Sequence, residues 1–462
     1  MKTQHFDTII IGSGQAGNPL AASLAKAGKK IAIIEKDKPG GTCVNVGCTP
    51  TKAYVASARA AWAARNAHKM GVQEIKDVKV DLATVKSRKD KIVGASRSGL
   101  LKMLENNPKI TLIRGEATFA EAKTIEVNGK KITGDQIFIN VGARPRIIDG
   151  FETVKFYTNE SILELEEIPE KLIIIGGSYI GLEFAQIFRR FGSKVTIVEM
   201  NDRLIAREDV ETSRIIAEIL ENEGIELELS AKCIGGKPYG KNGVEVQVNC
   251  HATQRAIRGN TILMATGRQS NTDLLALHNA GVKHDERGHI LVNEYCETNV
   301  KNIFALGDCN GRGAFTHTAY NDFEIIDSYL SGGNRKLSDR ITNYALYIDP
   351  PMGRAGLSRD QALNQGIEIL YGRSKMRHIA RAIEKGETQG FMEVVIDKNT
   401  EKIIGATVLG TGGDEVIAVF LAIMYAGASY KTFRDSVQTH PTVSELIPTM
   451  LQNLEELKPD NI

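Results

Sequence analysis

The sequence predicts an α/β protein in which two βαβ nucleotide-binding units are followed by an α+β carboxy-terminal domain, and three observations lead there. The chain has 462 residues, enough at about 150 residues per domain for roughly three domains. One plan of strand, glycine loop, helix, strand and acid occurs twice. Glycine, at 44 residues, exceeds its usual share of ~7%, as it does where backbone bends tightly or approaches a ligand.

In the first unit, Phe6 to Ile11 reads as an apolar strand, Gly12-Ser13-Gly14-Gln15-Ala16-Gly17 as a turn, and Pro19 to Ala27 as a small-residue helix. Lys30 to Ile34 is then a second strand, closed by Glu35. Lys109 to Val141 carries short strand patterns with Asn128-Gly129 and Thr133-Gly134 turns, as a small antiparallel insertion would. The second unit runs Leu172 to Ile175, Gly176-Gly177-Ser178-Tyr179-Ile180-Gly181, a helix from Leu182 to Phe191, and the strand Lys194 to Val198 ending in Glu199. Glu35 follows Gly17 at the same interval of eighteen residues at which Glu199 follows Gly181. Lys301 to Asp308 is another strand ending in Gly-Asp, and Ser331-Gly332-Gly333-Asn334 is a linker. Beyond it, strands at Tyr344 to Tyr347, Phe391 to Ile396 and Lys402 to Leu409 mix with helices at Ser358 to Gln365 and Glu415 to Ala426. The basic tract Arg373 to Lys385 reads as a solvated loop or helix face.

Composition narrows the partners. Lys plus Arg total 58 and Asp plus Glu 56, a formal charge of +2, so no global field draws the chain to nucleic acid or to an anionic membrane. Six cysteines with no secretory leader ahead of Asp7 point to a reducing, cytoplasmic setting, where a disulfide is catalytic rather than structural. The longest uncharged apolar stretch, Val416 to Tyr430, is shorter than the ~18 to 20 residues a membrane span needs and reads as a core helix.

The glycine loops have a physical reading. Gly12 makes the tight turn, Gly14 lets backbone approach a pyrophosphate, and Gly17 lets helix pack on strand. The phosphates would sit at the helix N-terminus, where free N–H groups and the positive dipole end favour an anion, while Glu35 accepts from a ribose hydroxyl. In the second unit Ser178 takes the place of the middle glycine, a small enough change to keep the assignment. Glu199 would pair with a ribose 2′-OH and repel a 2′-phosphate, which favours NADH over NADPH.

The most specific string is Gly40-Gly41-Thr42-Cys43-Val44-Asn45-Val46-Gly47-Cys48-Thr49-Pro50-Thr51-Lys52. It resembles the redox-active loop of the pyridine nucleotide-disulfide oxidoreductases, which include dihydrolipoamide dehydrogenase, glutathione reductase and mercuric reductase. The resemblance covers essentially the whole chain, through Ala305-Leu306-Gly307-Asp308 to His440-Pro441-Thr442-Val443-Ser444-Glu445. It implies two Rossmann-like domains, for FAD and NAD(P), and a dimerisation domain: residues 1–148 and 269–335 for FAD, 149–268 for NAD, and 336–462 at the interface. It implies a homodimer, because in the family the catalytic histidine comes from the other subunit.

By this resemblance Cys48 is the sulfur next to the flavin and Cys43 the interchange sulfur that meets substrate. Exchange needs a thiolate, so a base must act near the pair; His440 resembles that base, with Glu445 orienting its ring. Lys52 matches the lysine beside the flavin, Glu183 its ion-pair partner, Tyr179 the aromatic gate on the nicotinamide side, and Asp308 the acid on the FAD ribityl chain. The expected cofactor-binding residues are together Gly12, Ser13, Gly14, Gly17, Glu35, Lys36, Gly41, Thr42, Lys52, Gly115, Gly142, Asp308, Gly176, Tyr179, Ile180, Glu183, Glu199 and Gly267. Cys233, Cys250, Cys296 and Cys309 show no metal-binding spacing and read as packing residues, with no metal site expected.

Branches of the family point in two directions. Mercuric reductase carries a vicinal cysteine pair at its carboxy terminus, whereas Leu457-Lys458-Pro459-Asp460-Asn461-Ile462 holds no thiol. His440 and Glu445 stand as in dihydrolipoamide dehydrogenase, which favours a small disulfide or dithiol, lipoamide first. Tyr347-Ile348-Asp349-Pro350-Pro351 departs from that enzyme's Thr-x-Pro-Glu pattern, and the alanine-rich helix Ala53 to Lys69 is unlike its usual segment. These features resemble the mercuric-reductase-like branch, so reduction of a metal ion (mercuric or copper) or a quinone is the alternative expectation.

Overall fold

The computed structural model describes residues 3–73, 75–250 and 253–459; the terminal Asp460 to Ile462 of the thiol-free tail lie outside them. Strand β1 (Gln4–Ile11), helix α1 (Gly17–Lys26) and strand β2 (Ile31–Glu35) form the first unit, with β1 and β2 parallel and Ile10 opposite Ile33. Helices α2 (Gly41–Asn45), α3 (Cys48–Asn66) and α4 (Leu82–Glu105) follow. Strand β3 (Ile110–Arg114) then returns beside β2, and β4 (Ala117–Glu121), β5 (Thr124–Val127) and β6 (Lys130–Ile139) complete a sheet of order β3-β2-β1-β6-β5-β4. β6 lies parallel to β1, and only β4, β5 and β6 pair antiparallel.

One expected turn is absent here. Thr133-Gly134 lies inside β6, where the missing side chain makes room for Ile9, whose Cγ1 would be 2.9 Å from a Cβ at Gly134. Asn128-Gly129 is the two-residue turn between β5 and β6, both residues having positive φ, 53° and 70°.

After β7 (Ala143–Pro145), the second unit is built on β8 (Lys171–Ile175), α5 (Tyr179–Phe191), β9 (Lys194–Val198), α6 (Val210–Asn222) and β10 (Ile225–Glu228). A three-stranded antiparallel sheet of β11 (Ala231–Tyr239), β12 (Gly243–Cys250) and β13 (Thr253–Gly259) covers one side, and β14 (Thr261–Met264) completes the parallel order β10-β9-β8-β14. β15 (Arg268–Ser270) pairs with β7, and β16 (Ile303–Ala305) rejoins the first sheet beside β6 before α7 (Thr316–Leu330). The chain therefore leaves the first sheet, builds the second, and returns.

The remaining sheet has the order β17-β18-β21-β20-β19-β22, from β17 (Asn343–Leu346), β18 (Met352–Gly356), β19 (Ile369–Lys375), β20 (Phe391–Asp397), β21 (Ile403–Leu409) and β22 (Glu455–Leu457). Helices α8 (Arg359–Asn364), α9 (Ala380–Glu384) and α10 (Gly413–Ala426) belong to this domain. Two expectations change. The basic tract is not simply solvated: Met376, Ile379 and Ala382 are buried, and Arg373 pairs with Glu211 on α6 while lying 4.0 Å from the Phe391 ring centroid. Helix α10 is a core helix on one face only: Ile417 and Phe420 belong to the domain core and Val416, Val419, Leu421, Ile423 and Met424 pack against it, while Ala418, Ala422 and Tyr425 are exposed. An apolar helix face left exposed marks a surface that another chain can cover. No helix among the described residues is long and apolar enough to cross a membrane.

Candidate active site

Both glycine loops close in the same way. Gly12 N–H donates to Ile34 O at 2.8 Å with φ at +102°, and a Cβ there would stand 2.2 Å from Asn140 O. Gly176 N–H donates to Val198 O at 2.8 Å with φ at +112°, and its Cβ would stand 2.3 Å from Ala265 O. No residue but glycine fits either position. Gly17 and Gly181 let each helix approach its loop, since a Cβ on them would stand 2.4 and 2.0 Å from the carbonyl oxygens of Gly12 and Gly176.

The two acids also act alike. Glu35 is buried and accepts from Ser13 N–H at 2.9 Å and Asp37 N–H at 2.9 Å. Glu199 is buried and accepts from Gly177 N–H at 2.6 Å and Asn201 N–H at 2.8 Å. Each carboxylate pins its loop and keeps lone pairs for a further donor such as a ribose hydroxyl. Ser178 is exposed and extended at the start of α5, so the serine leaves the second loop intact.

The residues present fit FAD. A Cβ at Gly14 would stand 2.9 Å from Asn140 Oδ1, and one at Gly41 would stand 3.0 Å from Gly14 Cα, so the two loops meet backbone to backbone. Gly142 and Gly267, with φ at +64° and +101°, have nothing within 4 Å on the Cβ side. Asp308 faces Arg268 Nε at 3.5 Å, burial pushes its carboxyl up, and that buried Nε has no hydrogen-bond partner. A loop bare of side chains next to an incompletely partnered acid suits a pyrophosphate and a polyhydroxyl chain.

The dithiol lies at the junction of two helices. Gly40, with φ at +111°, caps α2, which carries Cys43, and Cys48 opens α3; both are free thiols. Cys48 Sγ is 3.3 Å from the hydroxyl of Thr316, the first residue of α7. One turn along α3, Lys52 Nζ meets Glu183 Oε1 and Oε2 at 2.9 and 2.7 Å and lies 4.5 Å from the Tyr347 ring centroid. Glu183 also accepts from Tyr347 N–H at 3.1 Å.

These contacts divide the two sulfurs. The hydrogen bond from Cys43, followed by those from Thr316 and the charge of Lys52, lowers the Cys48 thiol to about 6 against the effect of burial. Cys43 moves strongly upward, because it is the donor to Cys48 and is desolvated. The two thiols are thus shifted in opposite directions, Cys48 toward the thiolate and Cys43 toward the protonated form.

His440 is 77% exposed, and its Nδ1 stands 2.8 Å from Glu445 Oε2, which fixes the ring. The ring therefore faces outward from its own chain. Tyr179 opens α5 half-buried, between Phe315 and Tyr344. Thr42 O closes the α2 turn with Val46 N–H, and Gly115 N–H donates to Glu35 O at 3.1 Å. Lys36 is exposed, and Ile180 packs against the core under α5. Cys250, Cys296 and Cys309 are buried, and burial raises the half-buried Cys233 thiol to about 12.

Sequence reasoning assigned no role to Asn140, Thr316, Tyr344 or Tyr347. Asn140 accepts from Gly17 N–H at 2.9 Å and donates to Leu306 O at 3.1 Å, tying β6 to the glycine loop. Its signal was present, since it sits in Asn140-Val141-Gly142 at the end of a strand. Thr316 carries no such motif and is reached only through the fold.

Comparison with known proteins agrees with this geometry. Residues 6–322 match the family described as pyridine nucleotide-disulphide oxidoreductase, and residues 342–451 match its dimerisation domain. The chain is 34% identical to the probable pyridine nucleotide-disulfide oxidoreductase RclA of Escherichia coli, over 95% of this chain and 97% of that one. It is 33% identical to a mercuric reductase of Staphylococcus aureus, over 95% and 81%, and 31% identical to a dihydrolipoyl dehydrogenase of Chlamydia pneumoniae, over 96% of both. Among solved structures, the Cu(II) complex of a cysteine-to-serine mutant of the HOCl-induced flavoprotein disulfide reductase RclA from E. coli has a TM-score of 0.88 at 33% identity, covering 97% of this chain and 99% of that one. The chain belongs to the pyridine nucleotide-disulphide oxidoreductase family, whose members are FAD-dependent and use NAD(P)H.

Proposed function

We propose that this chain is a cytoplasmic, homodimeric reductase that passes electrons from NADH through FAD and the Cys43, Cys48 pair to a small disulfide, lipoamide first. The observation that carries the reading is the dithiol at the junction of α2 and α3, with Cys48 Sγ 3.3 Å from the Thr316 hydroxyl and the Lys52 to Glu183 pair one turn further along α3. In this reading residues 1–148 and 269–335 bind FAD, 149–268 bind NADH, and 336–462 form the dimer. When bound, FAD supplies the hydride chemistry that links nicotinamide to sulfur.

Two electrons break the Cys43 to Cys48 bond, leaving Cys48 as thiolate, held by Thr316 and Lys52, and Cys43 protonated. His440, contributed by the second subunit and oriented by Glu445, removes the Cys43 proton. The Cys43 thiolate attacks the substrate disulfide, and the departing sulfur takes the proton back from His440. Cys48 then attacks Cys43, which releases the second thiolate and restores the disulfide. Glu199 accepts from a ribose 2′-OH and disfavours a 2′-phosphate.

A second reading is reduction of Cu(II), favoured by the likeness to RclA, whose solved structures include Cu(II) complexes. Oxidation of one dithiol to a disulfide would reduce two Cu(II) to two Cu(I). One panel separates the readings: NADH oxidation with lipoamide, glutathione disulfide, quinones, Hg(II), Cu(II) and oxygen, for the wild type and His440→Ala. Turnover with a disulfide that falls by about 100-fold in His440→Ala supports the first reading. Turnover with Cu(II) alone, unchanged by that substitution, replaces it with the second.

A further inference from the structure

The contacts around Tyr179 reach beyond its own domain. Its ring meets Phe315 edge-on with centroids 6.0 Å apart and Tyr344 with centroids 5.5 Å apart, and Arg207 lies over it at 4.8 Å. Its hydroxyl donates to Glu208 Oε1 across 3.4 Å, a long and weak bond. The Tyr344 hydroxyl donates to the same oxygen far more closely. Glu208 is 3% exposed, and its other oxygen faces Arg354 at 3.6 Å. Arg354 is itself buried, faces Glu393 at 3.6 Å and bonds the Thr407 hydroxyl.

Tyr344 lies on β17 and Arg354 on β18. The carboxylate that holds Tyr179 is thus held in turn from the dimerisation sheet. Burial and the neighbouring Glu208 push both phenols up, so both remain donors.

We propose that Glu208 is a positioning residue that latches the Tyr179 gate, and that Tyr344, which shares the same carboxylate oxygen, weakens that latch. The proposal rests on the reading of Tyr179 as the gate on the nicotinamide side. At 3.4 Å, and on an oxygen that Tyr344 also uses, Tyr179 is held weakly and can swing aside as nicotinamide enters. Removing the Tyr344 hydroxyl hands the oxygen to Tyr179, and a gate that is closed more of the time lowers the apparent affinity for NADH.

The test is a double-mutant cycle on the FAD-loaded dimer, measuring KM and kcat for NADH in the wild type, Tyr344→Phe, Tyr179→Phe and the double variant, with Tyr179→Ala as a gate control. Tyr344→Phe is expected to raise the KM for NADH about threefold while kcat moves less. In the Tyr179→Phe background the same change is expected to do nothing, since that gate has no hydroxyl to hold. A mere packing role for Tyr344 would give the same effect in both backgrounds, and that result overturns the latch. A Tyr179→Ala variant with altered KM alongside an inert Tyr344→Phe overturns the latch alone. An unaltered KM in Tyr179→Ala removes the gate and the latch together.

Discussion

Lys52 grips both carboxylate oxygens of Glu183, at 2.9 and 2.7 Å, and so ties the helix that begins with Cys48 to the helix that begins with Tyr179. The Glu183 side chain is 7% exposed and that of Lys52 33%. Breaking a fully buried pair costs roughly 3 to 5 kcal/mol, but Lys52 is partly solvated and Glu183 keeps the Tyr347 N–H, so Lys52→Met is expected to cost about 2 kcal/mol. Adding Glu183→Leu should recover only part of that loss, because it also leaves the Tyr347 N–H without its acceptor. Urea midpoints of the three proteins check it; a Lys52→Met protein as stable as wild type would show that the pair contributes nothing.

The Cys48 thiol predicts a pH profile. A lowered value means that thiolate is present above about 6 and is lost as pH falls through it. The rate of Cys48 alkylation by iodoacetamide in the two-electron-reduced enzyme should therefore rise through about pH 6 and level off, well below the ~8.5 of an ordinary thiol. Thr316→Val removes the hydroxyl 3.3 Å from Cys48 and should move the inflection upward. An inflection near that of free cysteine in wild type would contradict the assignment of Cys48 as the stabilised sulfur.

Glu199 should set nucleotide choice. Glu199→Ala deletes both the ribose acceptor and the anchor of Gly177 N–H, so kcat/KM for NADH should fall about 10-fold. NADPH should lose less, since the repulsion of its 2′-phosphate disappears as well. Steady-state kinetics with both nucleotides decide the matter, and an unchanged NADH to NADPH ratio would remove the role.

If each active site takes His440 from one subunit and Cys43 from the other, two inactive variants should complement. Unfolding and refolding Cys43→Ser with His440→Ala gives mixed dimers with one intact site, so disulfide reduction should return to roughly one quarter of the wild-type level at random pairing. Failure of the mixture to exceed its separate components, with mixed dimers shown to be present, would place histidine and cysteine on one chain.

The parts of this fold that were legible in the sequence are those fixed by local backbone demands. Gly12 and Gly176 are dictated by carbonyls 2.2 and 2.3 Å from where a side chain would begin, so both loops and their acids could be read directly. Gly134 gave the same signal for another reason, accommodation of Ile9 on the neighbouring strand, and local sequence cannot tell a turn from a close approach. The apolar run in α10 was ambiguous in a similar way, because a core and an interface select the same residues. Thr316 and Tyr344 were invisible, since their partners Cys48 and Glu208 are brought to them only by tertiary folding.

The partly bare helix α10 bears on how such an enzyme behaves in dilute solution. If His440 serves the other subunit's thiols, a single subunit would lack its base, and it would leave Ala418, Ala422 and Tyr425 of that helix in water. Catalytic competence then becomes a collective property: specific activity should fall on dilution as subunits separate, and a newly made chain stays silent until it meets a second. On that arrangement, reducing activity would scale with the population of pairs rather than with the number of chains.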